Sequence, residues 1–332
     1  MSSSINLAIV ILNFNGCHLI KEYFPDLISN SFEAKIYLID NGSSDDSIKW
    51  VEKHYGSVKI IPLNHNMGYA GGYNQGLREV REPLLCLLNN DVKVPKNWLV
   101  PILKAFETDP KLTAAQPLIL DLKKPNYFEY AGAAGGFLDF FGVPYCKGRI
   151  LNYVEENFNQ YNVTKSNFWA SGACFFIQKK YFFELGGFDE DFFSYQEEID
   201  LCWRLNRAGH QIKTIGSTHV YHLGGGSSSK SSNKVFYDHR NSLMMLFKNL
   251  SLKNLVVVLP VRLFMDFFFG LAYLFQMKFS LFGAIVMSHY EFYRNINTLY
   301  KKRRGLKKFP YFKHYKAFSV ILLYLKISNS KT

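Results

Sequence analysis

The chain has 332 residues, 48% of them hydrophobic and 17% aromatic, which is enough for one large domain with an appendage or for two domains. Its formal net charge of +12 suits nucleic acid, an anionic membrane or a phosphorylated ligand and does not choose among them. Five scattered cysteines without a CxxC pair argue against a disulfide framework and against a zinc site. Because the first apolar run, residues 5–12, is too short for a signal peptide, we expect the main body of the protein to lie in the cytoplasm.

The N-terminal part of the chain alternates between predicted strands and predicted helices. Apolar runs predict buried strands, over residues 7–12, 35–39, 58–62 and 84–91. Helices are predicted between them, over residues 17–30, 47–55 and 68–81. This order implies βαβ units and a parallel sheet, and right-handed crossovers bring the carboxyl ends of its strands to one edge. In open α/β sheets, ligands bind at that edge.

The fourth of these strands ends abruptly in two amides and a carboxylate, Asn89, Asn90 and Asp91. At a strand tip that faces a crevice, Asp91 offers the carboxylate oxygen that Mg²⁺ prefers, and Mg²⁺ often uses only one or two protein carboxylates together with substrate phosphates. An ordinary turn is the alternative interpretation, since Asn and Asp favour turns.

Asp40 ends the second strand in the same way and could accept hydrogen bonds from a base or a ribose. The alternative is that the polar residues at this point only cap the next helix. Glycines at positions 68, 71, 72 and 76 would let the backbone approach a ligand closely. Because they do not form GxGxxG, a dinucleotide-binding fingerprint is not supported.

The middle of the chain is less regular. A helix is predicted over residues 98–108 and a strand over 114–120, but from 123 to 161 glycines punctuate aromatic residues without a clear period. A long irregular stretch inside a compact domain is usually functional or disordered, and the aromatic content disfavours disorder. A strand is predicted next, over residues 168–177, and then a short helix over 181–185.

Three carboxylates, Glu197, Glu198 and Asp200, crowd the first turns of a helix that is predicted over residues 194–208. Adjacent acids can keep one pKa raised, which a general base near neutral pH needs. The alternative is structural, because acids are common near a helix N-terminus and Asp200 could pair with Arg204 four residues later.

A strand that is predicted over residues 211–215 is followed by His222 and by a glycine- and serine-rich run, residues 224–229. A His in this setting can bind a metal or a phosphate, although a lone His is more often satisfied locally. The run itself is typical of a loop that orders over a substrate. A helix that is predicted over residues 235–250 carries Arg240 and Asn241.

After residue 250 the composition shifts, and we divide the chain into a main domain, 1–250, and a helical C-terminal region, 251–332. The region holds three apolar segments and one basic run, over residues 255–277, 279–287, 318–325 and 301–304. Arg262 and Asp266 interrupt the first apolar segment, and a charge at the centre of a membrane costs about 2.5–3.5 kcal/mol. We therefore prefer helices that lie in or on the cytoplasmic leaflet, held by apolar faces and basic residues. The alternatives are a spanning helix with Arg262 paired to Asp266, and a bundle packed on the main domain.

Eight motifs occur in an order and at a spacing that indicate a family. They are VILNFNG (10–16), LIDNGSSD (38–45), NMGYAGGYNQGL (66–77), LLNNDV (87–92), WASGACFFI (169–177), GGFDEDFF (186–193), EEIDLCWRL (197–205) and HLGGGS (222–227). With these motifs, residues 5 to 250 resemble the family 2 glycosyltransferases of the GT-A fold and, within them, the bacterial rhamnosyltransferase-like group. The resemblance implies a Rossmann-like α/β fold with a mixed, mainly parallel sheet flanked by helices.

The resemblance also implies an enzyme, a glycosyltransferase of the hexosyltransferase class. Such enzymes take a sugar from a nucleoside-diphosphate donor, here of the dTDP-rhamnose or UDP-hexose class, and invert its anomeric centre. The acceptor would be a hydroxyl of a saccharide or of a lipid-linked saccharide in cell-surface polysaccharide synthesis. The enzyme would be a peripheral or monotopic protein at the inner face of the cell membrane.

The resemblance assigns roles to single residues. The nucleotide is held by Asn13, Asp40, Asn41, Gly68, Asn74 and Asn90. Asp91 and His222 bind Mg²⁺ or Mn²⁺, in a motif usually written Asp-x-Asp whose first acid is replaced by Asn89 here. Glu198 is the catalytic base beside Glu197, at a position where the family usually has Asp. The donor and acceptor pocket is formed by Trp169, Ser171, Gly172, Asp200 and Arg204.

Two other functions fit parts of the sequence. A metal-dependent nucleotidyltransferase also uses a nucleotide, a metal and a parallel sheet, but it would release pyrophosphate and need no acidic pair at 197 and 198. An inactive membrane-bound scaffold is compatible with the variants Asn89 and Glu198. Nucleic-acid binding fits the charge alone, and we expect no nucleic-acid partner, because the basic residues cluster beside apolar helices and not among exposed aromatic residues.

Overall fold

The computed structural model describes residues 6–130, 132–224, 231–306 and 313–329. Its strands are β1 (Leu7–Asn13), β2 (Ala34–Asp40), β3 (Lys59–Pro62), β4 (Leu84–Leu88), β5 (Val92–Lys93), β6 (Leu112–Asp121), β7 (Gly136–Leu138), β8 (Pro144–Cys146), β9 (Arg149–Ile150), β10 (Tyr153–Val154), β11 (Lys165–Ser166), β12 (Cys174–Gln178) and β13 (Gln211–His222). Its helices are α1 (Cys17–Asn30), α2 (Ser47–His54), α3 (Gly68–Gly76), α4 (Val100–Thr108), α5 (Lys179–Glu184), α6 (Glu197–Arg207), α7 (Ser232–Asn249), α8 (Leu252–Phe275), α9 (Phe279–Arg294), α10 (Ile296–Gly305) and α11 (Val320–Asn329), with a short 3-10 helix at Glu190–Phe192.

One mixed sheet forms the centre of the fold. Its strand order is β11-β13-β6-β12-β4-β1-β2-β3, and β5 pairs with β13. β1 is parallel to β2 and β4, whereas β12 is antiparallel to β4 and β6. Successive residues of β1 enter opposite cores, Val10 on one face and Ile9 on the other. Because both faces of the sheet are covered, its central strands are continuous apolar runs, and the predicted sheet flanked by helices is confirmed.

The irregular stretch 123–161 forms a second, four-stranded antiparallel sheet in the order β10-β9-β8-β7. Its glycines make the reversals, since Gly142 (φ +73°) and Gly148 (φ +82°) have backbone angles that favour glycine. The strand that was expected over residues 168–177 begins only at Cys174, and β13 extends beyond the expected residue 215 to His222. Propensity alone does not set these bounds, because each is decided by pairing with a distant strand.

The charges inside the apolar helix α8 face its neighbours. Arg262 donates from Nη2 to Ser242 Oγ of α7 at 3.0 Å. Asp266 is 1% exposed and lies 2.9 Å from His239 Nδ1 of α7 and 3.0 Å from His289 Nε2 of α9. Asp266 is therefore paired inside the helical bundle, as a buried charge needs to be. Arg262 has a hydrogen bond there as well, although its Nε has no hydrogen-bond partner among the described residues.

The opposite face of α8 is exposed and aromatic. Phe264, Phe267, Phe268 and Phe275 are each more than half exposed. Among the described residues, α8 is the one helix that is long and apolar enough to cross a membrane, judged by length and composition only, and 22% of its apolar window is buried.

Residues beyond 250 also contact the part of the chain before it. Lys302 of α10 lies 2.7 Å from Asp191 and also pairs with Asp189. The backbone N–H of Val320 donates to Asp139 at 3.0 Å. The C-terminal region is therefore packed against the main domain over the described residues, and the division at residue 250 stays a prediction.

Candidate active site

Three polar side chains meet where β1, β2 and β4 end. Asn13 Nδ2 donates to Asp40 Oδ1 at 3.4 Å, and Asn90 Nδ2 donates to Asn13 Oδ1 at 3.0 Å. Asn13 and Asp40 are almost fully buried, while Asn90 is half-buried. They meet because parallel strands end at the same edge of a sheet. The prediction of a ligand site at this edge was based on the same property of parallel sheets.

Asn41 connects this edge to the start of α3. Its Oδ1 accepts from the Met67 N–H at 3.0 Å, and its Nδ2 donates to the Gly68 carbonyl at 3.0 Å. Gly68 has φ +70°, and a Cβ there would overlap the Phe193 carbonyl oxygen. Glycine is therefore required at position 68 by both conformation and space.

Asn74 is not brought to the strand ends. Its amide exchanges hydrogen bonds with the backbone of Phe188, at 2.8 and 2.9 Å, and donates to Glu190 at 3.0 Å. The structure thus brings Asn13, Asp40 and Asn90 together and links Asn41 to Gly68, and it turns Asn74 towards the loop before α6.

His222, the last residue of β13, lies between two carboxylates. Its Nε2 is 3.1 Å from Asp91 Oδ1, and its Nδ1 is 3.3 Å from Glu129 Oε2. The register of β13 on β5 sets His222 opposite Val92, the residue after Asp91. Long-range strand pairing therefore joins two candidate ligands that are far apart in the sequence.

Asp91 and His222 carry the carboxylate and imidazole groups that bind divalent cations in proteins. Asp91 Oδ1 and His222 Nε2 lie 3.1 Å apart, within hydrogen-bond distance, so a bound cation would have to replace the proton between them. Glu129, behind Nδ1, is the type of carboxylate partner that orients metal-binding imidazoles. Within the described ranges, no group of three or more His, Cys, Asp or Glu side chains is arranged to hold a metal. A cation here would therefore depend on phosphate and water for its other ligands, as Mg²⁺ usually does.

The charge state of His222 follows from its two neighbours. Burial lowers the pKa of His222, but the hydrogen-bonding and charge interactions with Asp91 and Glu129 outweigh burial and raise this pKa to about 10. The imidazole and the carboxylates thus stabilise each other. The glycine-rich run predicted to follow His222, residues 225–229, lies outside the described residues.

Glu197 and Glu198 begin α6. Glu197 is 4% exposed and Glu198 is half-buried. Among the described residues, the Oε2 atom of each has no hydrogen-bond partner and is inaccessible to solvent. Burial raises the pKa of Glu198 to about 7, and burial together with the neighbouring carboxylate raises that of Glu197 well above its usual range. A carboxylate with these properties can take up a proton near neutral pH.

Gly172 connects the acidic pair to the edge of the sheet. A Cβ at Gly172 would lie 3.8 Å from the Glu198 carboxyl carbon and 3.0 Å from the Tyr69 hydroxyl oxygen. The Tyr69 hydroxyl donates to the Gly172 carbonyl at 2.8 Å. One residue further on, the Ala173 carbonyl accepts from the Asn89 N–H at 3.0 Å. The acidic pair and the end of β4 therefore lie on the two sides of one short segment.

Trp169 and Ser171 of the predicted pocket are buried. Trp169 donates from Nε1 to the Phe137 carbonyl at 3.0 Å, and its ring packs on Gly136. The Ser171 hydroxyl accepts from the Ala173 N–H at 3.2 Å. Both shape the segment that carries Gly172.

Asp200 and Arg204 form an ion pair, as the structural interpretation of the acids in α6 predicted. Arg204 Nη2 lies 2.8 Å from Asp200 Oδ2, and both side chains are almost fully buried. Arg204 also donates to the carbonyls of Leu185 and Gly187, and Asp200 accepts from Lys248 at 2.8 Å. They hold α6 against its neighbours, and their role in the pocket stays a prediction.

Sequence reasoning missed Glu129 and Tyr69. Glu129 lies in the irregular aromatic stretch, where no period marks a buried acid, and Tyr69 follows a glycine that was interpreted only as backbone. Their roles come from contacts with His222 and Gly172, which are distant in the sequence. A local pattern could not have identified either residue.

Comparison with known proteins gives one family and several relatives. The family model described as glycosyl transferase family 2 matches residues 8–186. The N-acetylglucosaminyl-diphospho-decaprenol L-rhamnosyltransferase of Mycobacterium tuberculosis is 25% identical over 256 residues, which is 71% of this chain and 82% of the relative. Rhamnosyltransferase WbbL of Escherichia coli is 24% identical over 70% of this chain and 89% of the relative.

Solved structures share the fold at low sequence identity. GalNAc-T7, crystallised with UDP, GalNAc and Mn²⁺, has a TM-score of 0.56 and 18% identity over 74% of this chain, which spans about half (51%) of that protein. The mannosyltransferase PcManGT from Pyrobaculum calidifontis, in complex with GDP-Man and Mn²⁺, has a TM-score of 0.52 and 12% identity, covering 98% of this chain and 80% of that one.

Proposed function

The chain belongs to glycosyl transferase family 2 and is a glycosyltransferase, and from this premise we propose that it transfers a sugar, with inversion, from a nucleoside-diphosphate donor to a saccharide or lipid-linked saccharide hydroxyl. The observation that supports the proposal is that the segment 172–173 contacts both Glu198 and Asn89, the residue at the end of β4 that leads to Asp91 and its partner His222. The names of two relatives favour dTDP-rhamnose as donor, ahead of a UDP-hexose.

The residues at the strand ends would bind the donor. Asn13, Asp40 and Asn41 offer amide and carboxylate groups to the base and ribose. Asp91 and His222 would hold Mg²⁺ or Mn²⁺, and the ion, when bound, stabilises the negative charge that develops on the leaving diphosphate. The proposal of a metal is supported by the position of both side chains at one end of the sheet, where β13 pairs with β5, and His222 would release its proton when the ion binds.

Glu198 would be the base. As the acceptor oxygen bonds to the anomeric carbon, the bond from that carbon to the diphosphate oxygen breaks, and the acceptor proton passes to the carboxylate of Glu198. This side chain is half-buried, and burial raises its pKa to about 7. Attack from the face opposite the leaving group needs one base only and inverts the anomeric centre.

The first experiment is a donor panel. Purified protein with Mn²⁺ and a polyprenyl-diphosphate-linked N-acetylglucosamine acceptor is incubated with dTDP-rhamnose and UDP-hexoses, with and without EDTA. We expect nucleoside diphosphate and glycosylated acceptor from one donor, both abolished by EDTA. Release of pyrophosphate would indicate nucleotidyl transfer instead, and absence of product from every donor would contradict the proposal.

We also propose that the enzyme acts at the inner face of the cell membrane. The exposed aromatic face of α8 and the basic residues of α10 support this location, since apolar area and Lys or Arg near anionic lipid both favour binding. In vesicle flotation with anionic lipid, F264S/F268S should reduce binding at least tenfold, whereas Phe32→Ser, at an 80% exposed Phe outside α8, should not. Wild-type protein that stays unbound would contradict the location.

A further inference from the structure

The chain enters the catalytic helix α6 through a strained turn, residues 192–196. Phe193 (φ +61°), Tyr195 (φ +72°) and Gln196 (φ +69°) all have the left-handed backbone angles that side chains other than glycine rarely adopt. Gln196 is the N-cap residue of α6, and its side chain makes no capping hydrogen bond there. The Ser194 N–H donates to the Phe192 carbonyl at 2.7 Å within the turn, but three strained residues in four persist only where surrounding elements also hold them.

Asn241 of α7 binds this turn. Its side chain is fully buried, and Nδ2 lies within hydrogen-bond distance of three carbonyls, those of Phe192 (3.0 Å), Ser194 (2.8 Å) and Tyr195 (2.8 Å). An amide NH₂ has two hydrogens, so one of them is shared. One side chain thus satisfies most of the carbonyls in the turn.

Arg240 determines which way the Asn241 amide points. Arg240 Nε donates to Asn241 Oδ1 at 3.0 Å, and because a guanidinium can only donate, the amide NH₂ must face the turn. Arg240 Nη2 also donates to the carbonyls of Asp191 and Phe192, at 2.8 and 3.0 Å. Arg240 and Asn241 together donate hydrogen bonds to four carbonyls, those of residues 191, 192, 194 and 195.

Helix α3 contacts the same turn from its other face. The Phe193 carbonyl accepts from the N–H groups of Tyr69 and Ala70, at 2.7 and 3.2 Å, in the first turn of α3. Tyr69 also contacts the Gly172 segment through its hydroxyl. The turn is therefore clamped between α3 and α7, directly before the residues at 197 and 198.

We propose that Asn241, oriented by Arg240, is a positioning residue that sets the catalytic carboxylate of Glu198 against the acceptor. The inference rests on the proposed function, because it concerns the base of that reaction. Asn241 is fully buried against the turn and fixes the backbone that leads to Glu198. A displacement of a catalytic group by about 1 Å costs about 10²-fold in rate, whereas the strand ends that bind nucleotide are untouched.

The test is a set of variants of the full chain. Asn241→Asp keeps the size of the side chain but replaces the NH₂ donor with an oxygen that repels the three carbonyls. We expect kcat to fall about 10²-fold while the Kd for the nucleoside diphosphate, measured by calorimetry without acceptor, changes less than twofold. Asn241→Ser keeps one donor and should retain more of kcat than Asn241→Ala.

Ser242→Ala is the matched control. Ser242 is the next residue of α7 and is equally buried, but its hydroxyl accepts from Arg262 of α8 and does not face the turn. It should lower Tm to an extent comparable with the Asn241 variants and leave kcat unchanged. A kcat for Asn241→Asp equal to wild type, or a loss of nucleotide affinity that matches the loss of kcat, would overturn the inference. If wild-type protein itself forms no product from any donor, the proposed function fails instead.

Discussion

The donor side of the site and its base side are built in different ways. The donor side uses β1, β2 and β4, whose ends are adjacent because β1 pairs in parallel with both β2 and β4. The base side uses α6, the 172–173 segment and α7, which meet through side-chain contacts such as those of Asn241 with the 192–196 turn. The proposed nucleotide subsite thus follows from the pairing of regular strands, and the position of the proposed base follows from the packing of helices and loops.

Removing the base should separate the two sides most clearly. We expect Glu198→Gln to lower kcat by about 10²–10⁴-fold, because the amide cannot accept the acceptor proton. Nucleotide affinity should stay the same, since the donor side is intact. Steady-state kinetics and calorimetry measure the two quantities, with Glu184→Gln, an exposed acid on α5, as the control. Near-normal turnover of Glu198→Gln would exclude Glu198 as the base.

The reverse effect is expected from Asp91→Ala. Side chains that only orient a metal ligand typically change metal affinity by about 10- to 100-fold when they are replaced. Asp91 would be one of two direct protein ligands, so its loss should weaken Mn²⁺-dependent nucleotide binding by about 100-fold. Calorimetry with and without Mn²⁺ measures this, and Asp26→Ala, which removes the surface ion pair with Lys93, is the control. If affinity in Mn²⁺ were unaltered by Asp91→Ala, the metal role of Asp91 would be wrong.

Glu129 belongs to neither side, because it comes from the irregular stretch, and its Oε2 lies 3.3 Å from His222 Nδ1. Glu129→Gln keeps the shape but removes the charge behind Nδ1, and we expect Mn²⁺ affinity to fall about 10-fold. Electron paramagnetic resonance of free Mn²⁺ gives this affinity without any turnover. Glu156→Gln serves as control, and equal affinities for both variants would indicate that Glu129 only fills space.

The smallest effect concerns the stability of the base side. Burial raises the pKa of Asp189, but Lys248 and Lys302 outweigh it and hold this pKa well below its usual range. A lowered pKa in the folded state stabilises the fold above the unfolded pKa of about 3.9, and this contribution is lost as pH falls further.

Lys302→Met should therefore reduce the free energy of unfolding by about 1 kcal/mol at neutral pH, since Lys302 is partly exposed. The difference from wild type should persist to about pH 4 and be lost only as pH falls through the lowered pKa of Asp189 in the folded state. Urea unfolding at pH 7 and in a series of steps below pH 4 measures this loss, and Lys301→Met, the exposed neighbour on α10, is the control. A difference that stayed constant through the whole acid series would mean that Lys302 stabilises α10 by packing and not by its charge.

The sequence patterns by themselves predicted a parallel sheet with polar strand ends, and the mixed character of the sheet followed only from the family resemblance. Buried strands must be continuous apolar runs, so the point where Leu88 gives way to Asn89 and Asp91 is visible without a structure. The acidic pair at 197 and 198 was visible for a similar reason, as the first turn of a helix with a clear pattern.

Only the tertiary structure decided which polar residues meet. His222 reaches Asp91 because β13 runs past its expected end to pair with β5, and Glu129 reaches His222 from a stretch without a period. Asn241 was visible only as a polar residue on a helix, and its three carbonyl partners depend on left-handed backbone at 193, 195 and 196. Side-chain periodicity reports which face of an element is buried, but contacts between distant segments are set by how those elements pack, and that information is not local.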